Sequence, residues 1–133
     1  MQGISLLKVR RWVKLTGGMP SPTGKDPAAH MLYVRDELHL AKDRLWAAIR
    51  ELRAKGFLGD LPFGNNYPLQ IYVHTGAGAY ICGEETSLLN SLEGRRGEPR
   101  LKPPFPAQTG ACGGATTVNN VDTIAIIPPM IQL

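Results

Sequence analysis

The sequence contains no long apolar run. Its most apolar stretch, Ile124 to Met130, is short and holds Pro128 and Pro129. A membrane-spanning helix needs roughly 20 such residues, so direct membrane insertion is not expected. Cysteine is scarce, with only Cys82 and Cys112. Their spacing fits neither a zinc motif nor an iron–sulfur motif, so no sulfur-ligated metal site is expected from this chain alone. The absence of a cysteine framework also argues against a secreted scaffold and for a reducing compartment. Acidic residues are missing from the first 25 positions, which hold Lys8, Arg10, Arg11, Lys14 and Lys25. An acid-poor basic start can mark an organelle transit peptide. Here Ser and Arg are few, and Gly17, Gly18, Pro20 and Pro22 interrupt any helix. Residues 1–30 are therefore read as a flexible terminal segment.

What is present fits a globular domain. The chain has 133 residues, 43% hydrophobic and 20% charged, enough for one modest core. The net charge is +4 and the pI about 9.3. The cations are scattered, however, and those at Arg44, Arg50, Arg53 and Lys55 alternate with Asp43 and Glu51. This pattern describes a solvated helix face, and no nucleic-acid partner is expected.

Hydrophobic spacing sets out the elements. Met31 to Val34 reads as a strand. Ala41, Leu45, Ala48, Ile49 and Leu52 fall on one face of a helix, with Gly56 as its C′ residue. Leu69 to Val73 reads as a second strand. Strand, helix, strand over this distance predicts a βαβ unit with parallel strands, and hence an α/β fold of Rossmann-like type. A second helix is predicted from near Gly83 to Gly94, with Leu88, Leu89 and Leu92 inward. Ile4 to Leu15 could form a short helix or strand, and residues 16–27 read as a loop. Residues 95–117 carry four prolines and four glycines. A long ordered loop of this kind in a compact domain is usually functional.

Several loops are suited to a ligand, and each also has a structural explanation. Gly76-Ala77-Gly78-Ala79 follows a strand, where small residues let a ligand approach the backbone; it is equally a tight turn. Cys82-Gly83-Glu84-Glu85-Thr86 opens a helix, whose free N–H groups and dipole suit an anion or polar ligand. Acidic residues also suit a first helical turn without any ligand. Arg95, Arg96, Arg100, Lys102 and Phe105 lie on a proline-stiffened loop. They could meet phosphates and stack on a base, or Phe105 could plug into the core. Thr116-Thr117-Val118-Asn119-Asn120 leads to another helix start, with Asn120 as N-cap. Its hydroxyls and amides suit a phosphate, or serve only as cap and turn.

The string GAGAYICGEETSLLNSLEGRRGEPRLKPPFPAQTG, followed by TTVNNVDT, resembles the NADH-binding flavoprotein subunit of respiratory complex I, the F-type subunit of NADH-quinone oxidoreductase. The resemblance covers residues 31–133 and is most specific from Gly76 to Thr123; residues 1–30 match poorly. It implies an incomplete α/β domain that holds flavin mononucleotide (FMN), with NADH stacked over it. It implies Tyr80, Gly83, Glu84, Val118, Asn119 and Asn120 at FMN, and Glu85, Lys102 and Phe105 at NADH. Glu85 would face the nicotinamide end and Phe105 would stack on adenine. No catalytic residue is implied, since the cofactors carry the chemistry.

The resemblance further implies other peripheral-arm subunits of complex I as partners, in particular the 2Fe-2S subunit. The location implied is cytoplasmic, on the inner face of the cell membrane through the complex, or on the matrix side of mitochondria. A 4Fe-4S cluster belongs to the complete subunit, and its ligands are not found here. The family's earlier glycine-rich loop is also not found, Ala115 stands where proline is usual, and Asp122 stands where glutamate is usual. The expectation is a truncated or incomplete member. A diaphorase part of an NAD-linked hydrogenase or formate dehydrogenase is the first alternative. A non-catalytic α/β remnant is the second.

Overall fold

The computed structural model describes residues 4–9, 28–60, 62–64 and 68–132. Strand β2, Ala28–Val34, is the centre of the fold. Met31, Leu32, Tyr33 and Val34 are all buried, so both faces of this strand are covered. Alternation sends the two sets of side chains in opposite directions. Met31 and Tyr33 join Cys82, Leu88, Leu89, Leu92 and Ala111 in one apolar cluster. Leu32 joins Ile49 and Leu58 in the other.

Helix α1, His39–Ala54, covers the second of these faces. Ile49 is buried, and Leu45 and Leu52 pack beside it. Ala48, predicted on the same face, is exposed. The helix ends as Gly56 foretold. Gly56 has φ +73, the Gly56 N–H donates to Arg53 O and the Phe57 N–H to Leu52 O. These are the two bonds of a Schellman motif, in which glycine relieves the cost of left-handed backbone.

Strand β3, Leu69–Thr75, lies parallel to β2 in an unbroken register from Ala28↔Leu69 to Val34↔Thr75. The predicted βαβ unit is therefore present. The complete sheet is mixed, in the order β3-β2-β1-β4. Strand β1, Ile4–Val9, pairs antiparallel with β2 on one side and with β4, Thr116–Asn120, on the other.

Two expectations are corrected by this arrangement. Ile4–Val9 is a strand with partners on both edges, which agrees with the strand form of the element read over residues 4–15 and not with a flexible segment, and strand β2 begins at Ala28, ahead of Met31. Thr116 to Asn120, read as a loop before a helix, is also a strand. Its β-branched Thr116, Thr117 and Val118 suit a pleated surface. The loop expected over residues 16–27, the cations Arg10, Arg11, Lys14 and Lys25, and the latter part of the possible element over 4–15 lie outside the described residues.

Helix α2, Glu85–Leu92, buries Leu88, Leu89 and Leu92 against the first face of the sheet. A short 3-10 turn, Tyr80–Gly83, delivers the chain to it. Gly94, with φ +76, closes the helix. The Arg95 N–H donates to Asn90 O and the Gly94 N–H to Ser91 O, a second Schellman motif. Helices α3, Val121–Ala125, and α4, Ile127–Ile131, follow β4. Among the described residues, no helix is long and apolar enough to cross a membrane.

Candidate functional site

The parallel strands β2 and β3 run in the same direction, and the site lies where they end. In open α/β sheets, ligands bind beyond the carboxyl ends of such strands. Arg35 follows β2 directly, and the Gly76–Ala79 turn follows β3. An open cleft of about 450 Å3 lies here, lined by Arg35, Tyr80, Ile81, Gly83 and Glu84. That volume is within the range of small-molecule sites.

The glycines of the turn have unequal duties. Gly76 packs on the Tyr33 hydroxyl so closely that a Cβ there would collide with it. Gly78 has φ +84 with open space around it, and Gly83 also faces open space. Gly76 thus serves packing, Gly78 serves the turn, and Gly83 leaves bare backbone at the cleft.

Tyr80 is 83% exposed and Ile81 45% exposed. The Arg35 guanidinium lies 5.3 Å from the centroid of the Tyr80 ring, a cation–π distance. One Arg35 nitrogen pairs with Glu37 at 2.6 Å, while Nε is buried without an acceptor. The sequence reading missed Arg35. The signal was available: a cation immediately after the first strand of a βαβ unit stands at the ligand end of the sheet.

Two of the N–H groups at the start of α2, those of Thr86 and Ser87, are not free for an anion. Glu84 is the N-cap, and its Oε2 accepts from the backbone N–H of Thr86 at 2.8 Å and of Ser87 at 2.9 Å. The Thr86 hydroxyl donates to the same oxygen. The anion site expected at this helix start is therefore occupied by the chain's own carboxylate. Lys102 reaches in from the long loop, with Nζ 3.2 Å from Glu84 Oε1 and 2.6 Å from Glu85 Oε1. One ammonium thus serves two carboxylates, and the cluster keeps a net negative charge.

The titration of these groups follows from their contacts. Partial burial alone would raise the Glu84 carboxyl. Bonds from the Thr86 hydroxyl, the Ser87 amide, Lys102 and the Thr86 amide outweigh it and bring the value down to about 2. Lys102 is held above its ordinary value, chiefly by its bond to Glu85 and then by that to Glu84.

The loop after α2 is clamped by Arg100. Its Nε donates to Asn90 Oδ1 at 2.7 Å and one terminal nitrogen to Gly110 O at 3.1 Å. The other terminal nitrogen lies 2.9 Å from Glu93 Oε1. The same Glu93 oxygen accepts the Cys112 N–H at 2.7 Å. Arg95 and Arg96 pair with Glu93 and Glu98 at 3.6 and 3.3 Å. Of the loop cations expected to meet phosphates, Arg100 is thus committed to holding the loop. Phe105 is 54% exposed. It lies outside both apolar clusters of the described residues.

Tyr80, Gly83 and Glu84 share the cleft, and Glu84, Glu85 and Lys102 are joined directly. Val118, Asn119 and Asn120 are carried separately on β4. Val118 packs against the cluster beneath α2. Asn119 is exposed. The Asn120 side chain caps α3 by accepting from the Asp122 N–H at 2.8 Å and the Thr123 N–H at 3.4 Å. Its role as N-cap, read from sequence, is present. The Thr116 hydroxyl is not free for a phosphate. It accepts the Ala111 N–H at 2.9 Å and donates to Gly114 O at 3.1 Å. Among the described residues, no group of three or more His, Cys, Asp or Glu side chains could hold a metal ion.

The family described as the Nuo51 FMN-binding domain matches residues 26–129. The chain belongs to that family. The match begins ahead of Met31 and takes in all of β2. The NADH-quinone oxidoreductase F-type subunit of Mycobacterium tuberculosis (strain H37Rv) is 56% identical over 100 residues, 75% of this chain and 22% of that protein. The protein of the same name in Aquifex aeolicus is 54% identical over 102 residues, 77% of this chain and 24% of that protein. The mitochondrial NADH dehydrogenase (ubiquinone) flavoprotein 1 of Dictyostelium discoideum is 49% identical over 104 residues, 78% of this chain and 22% of that protein.

Among solved structures, an NAD+-reducing nickel–iron hydrogenase in the H2-reduced state aligns with a TM-score of 0.67 and 32% identity. That alignment covers 82% of this chain and 18% of the hydrogenase chain. The chain spans about a fifth of the length of the curated relatives it matches.

The lining of the cleft fits the group that the family is named for. It offers an exposed aromatic face at Tyr80, an apolar side chain at Ile81, bare backbone at Gly83, one cation and one carboxylate. A flat ring system with polar edges matches that set of surfaces.

Proposed function

We propose that this chain supplies one wall of the FMN- and NADH-binding module of a complex I-type NADH dehydrogenase. The observation that carries the reading is the cleft itself. In a chain of the FMN-binding family, it is lined by Tyr80, Gly83 and Glu84 at the ligand end of the parallel strands. Tyr80, Gly83 and Glu84 would hold FMN, which when bound would supply the hydride and electron-transfer chemistry between NADH and iron–sulfur clusters held elsewhere. The residues of this chain bind and orient.

Tyr80, Gly83 and Glu84 face FMN, and Val118, Asn119 and Asn120 border it from β4. Glu85 and Lys102 receive the polar end of NADH, and the exposed Phe105 ring stacks on its adenine. The negative Glu84–Glu85–Lys102 cluster favours a hydrogen-bond donor, such as a carboxamide, over a phosphate. Glu85 is then a positioning group and not an obligatory acid or base. The partners are other subunits of the peripheral arm, including the 2Fe-2S subunit. The location is at the inner face of the cell membrane, or the matrix side in mitochondria, through that assembly.

A diaphorase module of an NAD-linked hydrogenase is the second reading, favoured by the alignment with the hydrogenase structure. The relatives of higher identity are subunits of NADH-quinone oxidoreductase, which supports the complex I reading over the hydrogenase one.

Flavin fluorescence on titration of FMN with the purified chain tests the binding. The expected result is saturable quenching with weak affinity, and in Tyr80→Ala the binding free energy taken from the titration should fall by about 1–3 kcal/mol, the worth of one stacked ring. Quenching that is unchanged in Tyr80→Ala, or absent altogether, contradicts the assignment.

A further inference from the structure

Thr86 is 1% exposed and stands in the first turn of α2. Its hydroxyl has both roles filled. It donates to Glu84 Oε2, and it accepts the backbone N–H of Arg100 at 2.8 Å. Arg100 lies two residues before Lys102, whose ammonium returns to Glu84 and Glu85. The connection is a closed circuit: Glu84 carboxylate, Thr86 hydroxyl, Arg100 amide, the Leu101 backbone, Lys102 ammonium, and the two carboxylates again. The Arg100 side chain pins the loop farther along α2, at Asn90 and Glu93. Only the Thr86 hydroxyl ties the loop backbone to the acidic end of the helix by a hydrogen bond among the described residues.

We propose that Thr86 is a positioning residue of the nucleotide site. Its one hydroxyl sets the Lys102-bearing loop and the Glu84–Glu85 carboxylates in a common register. A hydroxyl is required because the same oxygen must donate to a carboxylate and accept from an amide. Valine matches the shape of threonine and can do neither. Serine keeps both functions and loses only a methyl group. The consequence for ligand binding rests on the nucleotide reading above, whereas the consequence for the apo chain does not.

Two measurements on the 133-residue chain separate them. The first follows the Glu84 side-chain carboxyl by carbon NMR through the acid range. Thr86→Val should shift its midpoint upward, and Thr86→Ser should restore the wild-type midpoint. The second measures NADH affinity in the presence of FMN. Thr86→Val should weaken it roughly tenfold, the scale of one hydrogen bond to a charged group, and Thr86→Ser should recover it. An unshifted Glu84 midpoint in Thr86→Val, or a serine variant that behaves like valine, overturns the proposal.

If wild type binds no NADH, the nucleotide reading fails, and the Glu84 midpoint still decides the role of Thr86. Should Thr86→Val fail to fold, hydrogen exchange of the Arg100 amide in wild type decides instead. Slow exchange relative to Leu101 supports the bond, and exchange as fast as Leu101 overturns it.

Discussion

The two faces of the sheet are held by different forces. On the α1 face, Leu32, Ile49 and Leu58 form a cluster with Leu6, Leu45, Leu52, Leu69, Ile71, Val73 and Val121 around it. Every one of these is aliphatic. On the α2 face, the apolar cluster is bordered by buried polar groups: Thr86, Ser87 and Thr116 are all nearly inaccessible. Glu93 and Arg100 then tie the long loop to the helix, with Glu93 only 9% exposed. Apolar burial alone suffices for a scaffold. A face that fixes polar side chains in one arrangement needs directional bonds as well, and these are costly to break once buried.

The largest effect should follow from breaking the polar face at its hub. Glu93→Leu removes the carboxylate partner of Arg100 and the acceptor of the Cys112 amide together, leaving a largely buried cation with only the neutral acceptors Asn90 Oδ1 and Gly110 O. Destabilisation of about 3–5 kcal/mol is expected in denaturant unfolding. A loss comparable to a surface ion pair, under about 1 kcal/mol, would show that the loop is held by something else. On the apolar face, Ile49→Val should cost only about 0.5–1.5 kcal/mol. It should leave hydrogen-exchange protection over residues 95–114 unchanged. Loss of that protection would mean that the two faces are not separable.

Acid should act on the polar side of the sheet. His74 stacks on Tyr33 with ring centroids 5.5 Å apart, and burial lowers its pKa below the ordinary 6.5. The Glu84 carboxyl is lowered from 4.5 to about 2. Both folded values lie below the unfolded ones, so both contributions are fully present above the unfolded values. The His74 contribution should decline as the pH falls below 6.5. The Glu84 contribution should decline between pH 4.5 and about 2. Glu84→Gln should flatten the lower limb of the stability profile and leave the upper limb in place. A lower limb that persists unchanged in the variant contradicts this account.

The same contrast explains what was legible in the sequence. The α1 face could be read directly, because aliphatic residues at helical and strand spacing identify their own partners. Gly56 announced the helix end, and Asn120 announced the cap of α3. The α2 helix was found from Leu88, Leu89 and Leu92, and part of the cleft lining from the small residues and carboxylates before it.

The bonding on that face could not be read. Sequence spacing does not reveal that Glu84 turns back to fill its own helix end, which removes the anion site expected there. Nor does it reveal that Arg100 anchors a loop while Lys102, two residues on, reaches the carboxylates. Strands β1 and β4 were missed in part because short strands of mixed composition gain their identity from partners distant in sequence. Arg35 was overlooked because it stands alone in sequence and acquires its meaning from the end of β2.

The central claim is that ligands occupy the α2 side at the ends of β2 and β3, while the α1 side is scaffold. Amide chemical-shift mapping of the labelled chain tests it most directly, with FMN and then NADH added. The account predicts that FMN perturbs residues 80–84 and 118–120 together with Arg35. NADH should then extend the perturbation to Glu85, Lys102 and Phe105. Shifts centred instead on the exposed aromatic pair Phe57 and Phe63, at the end of α1, or spread evenly over both faces, would contradict it.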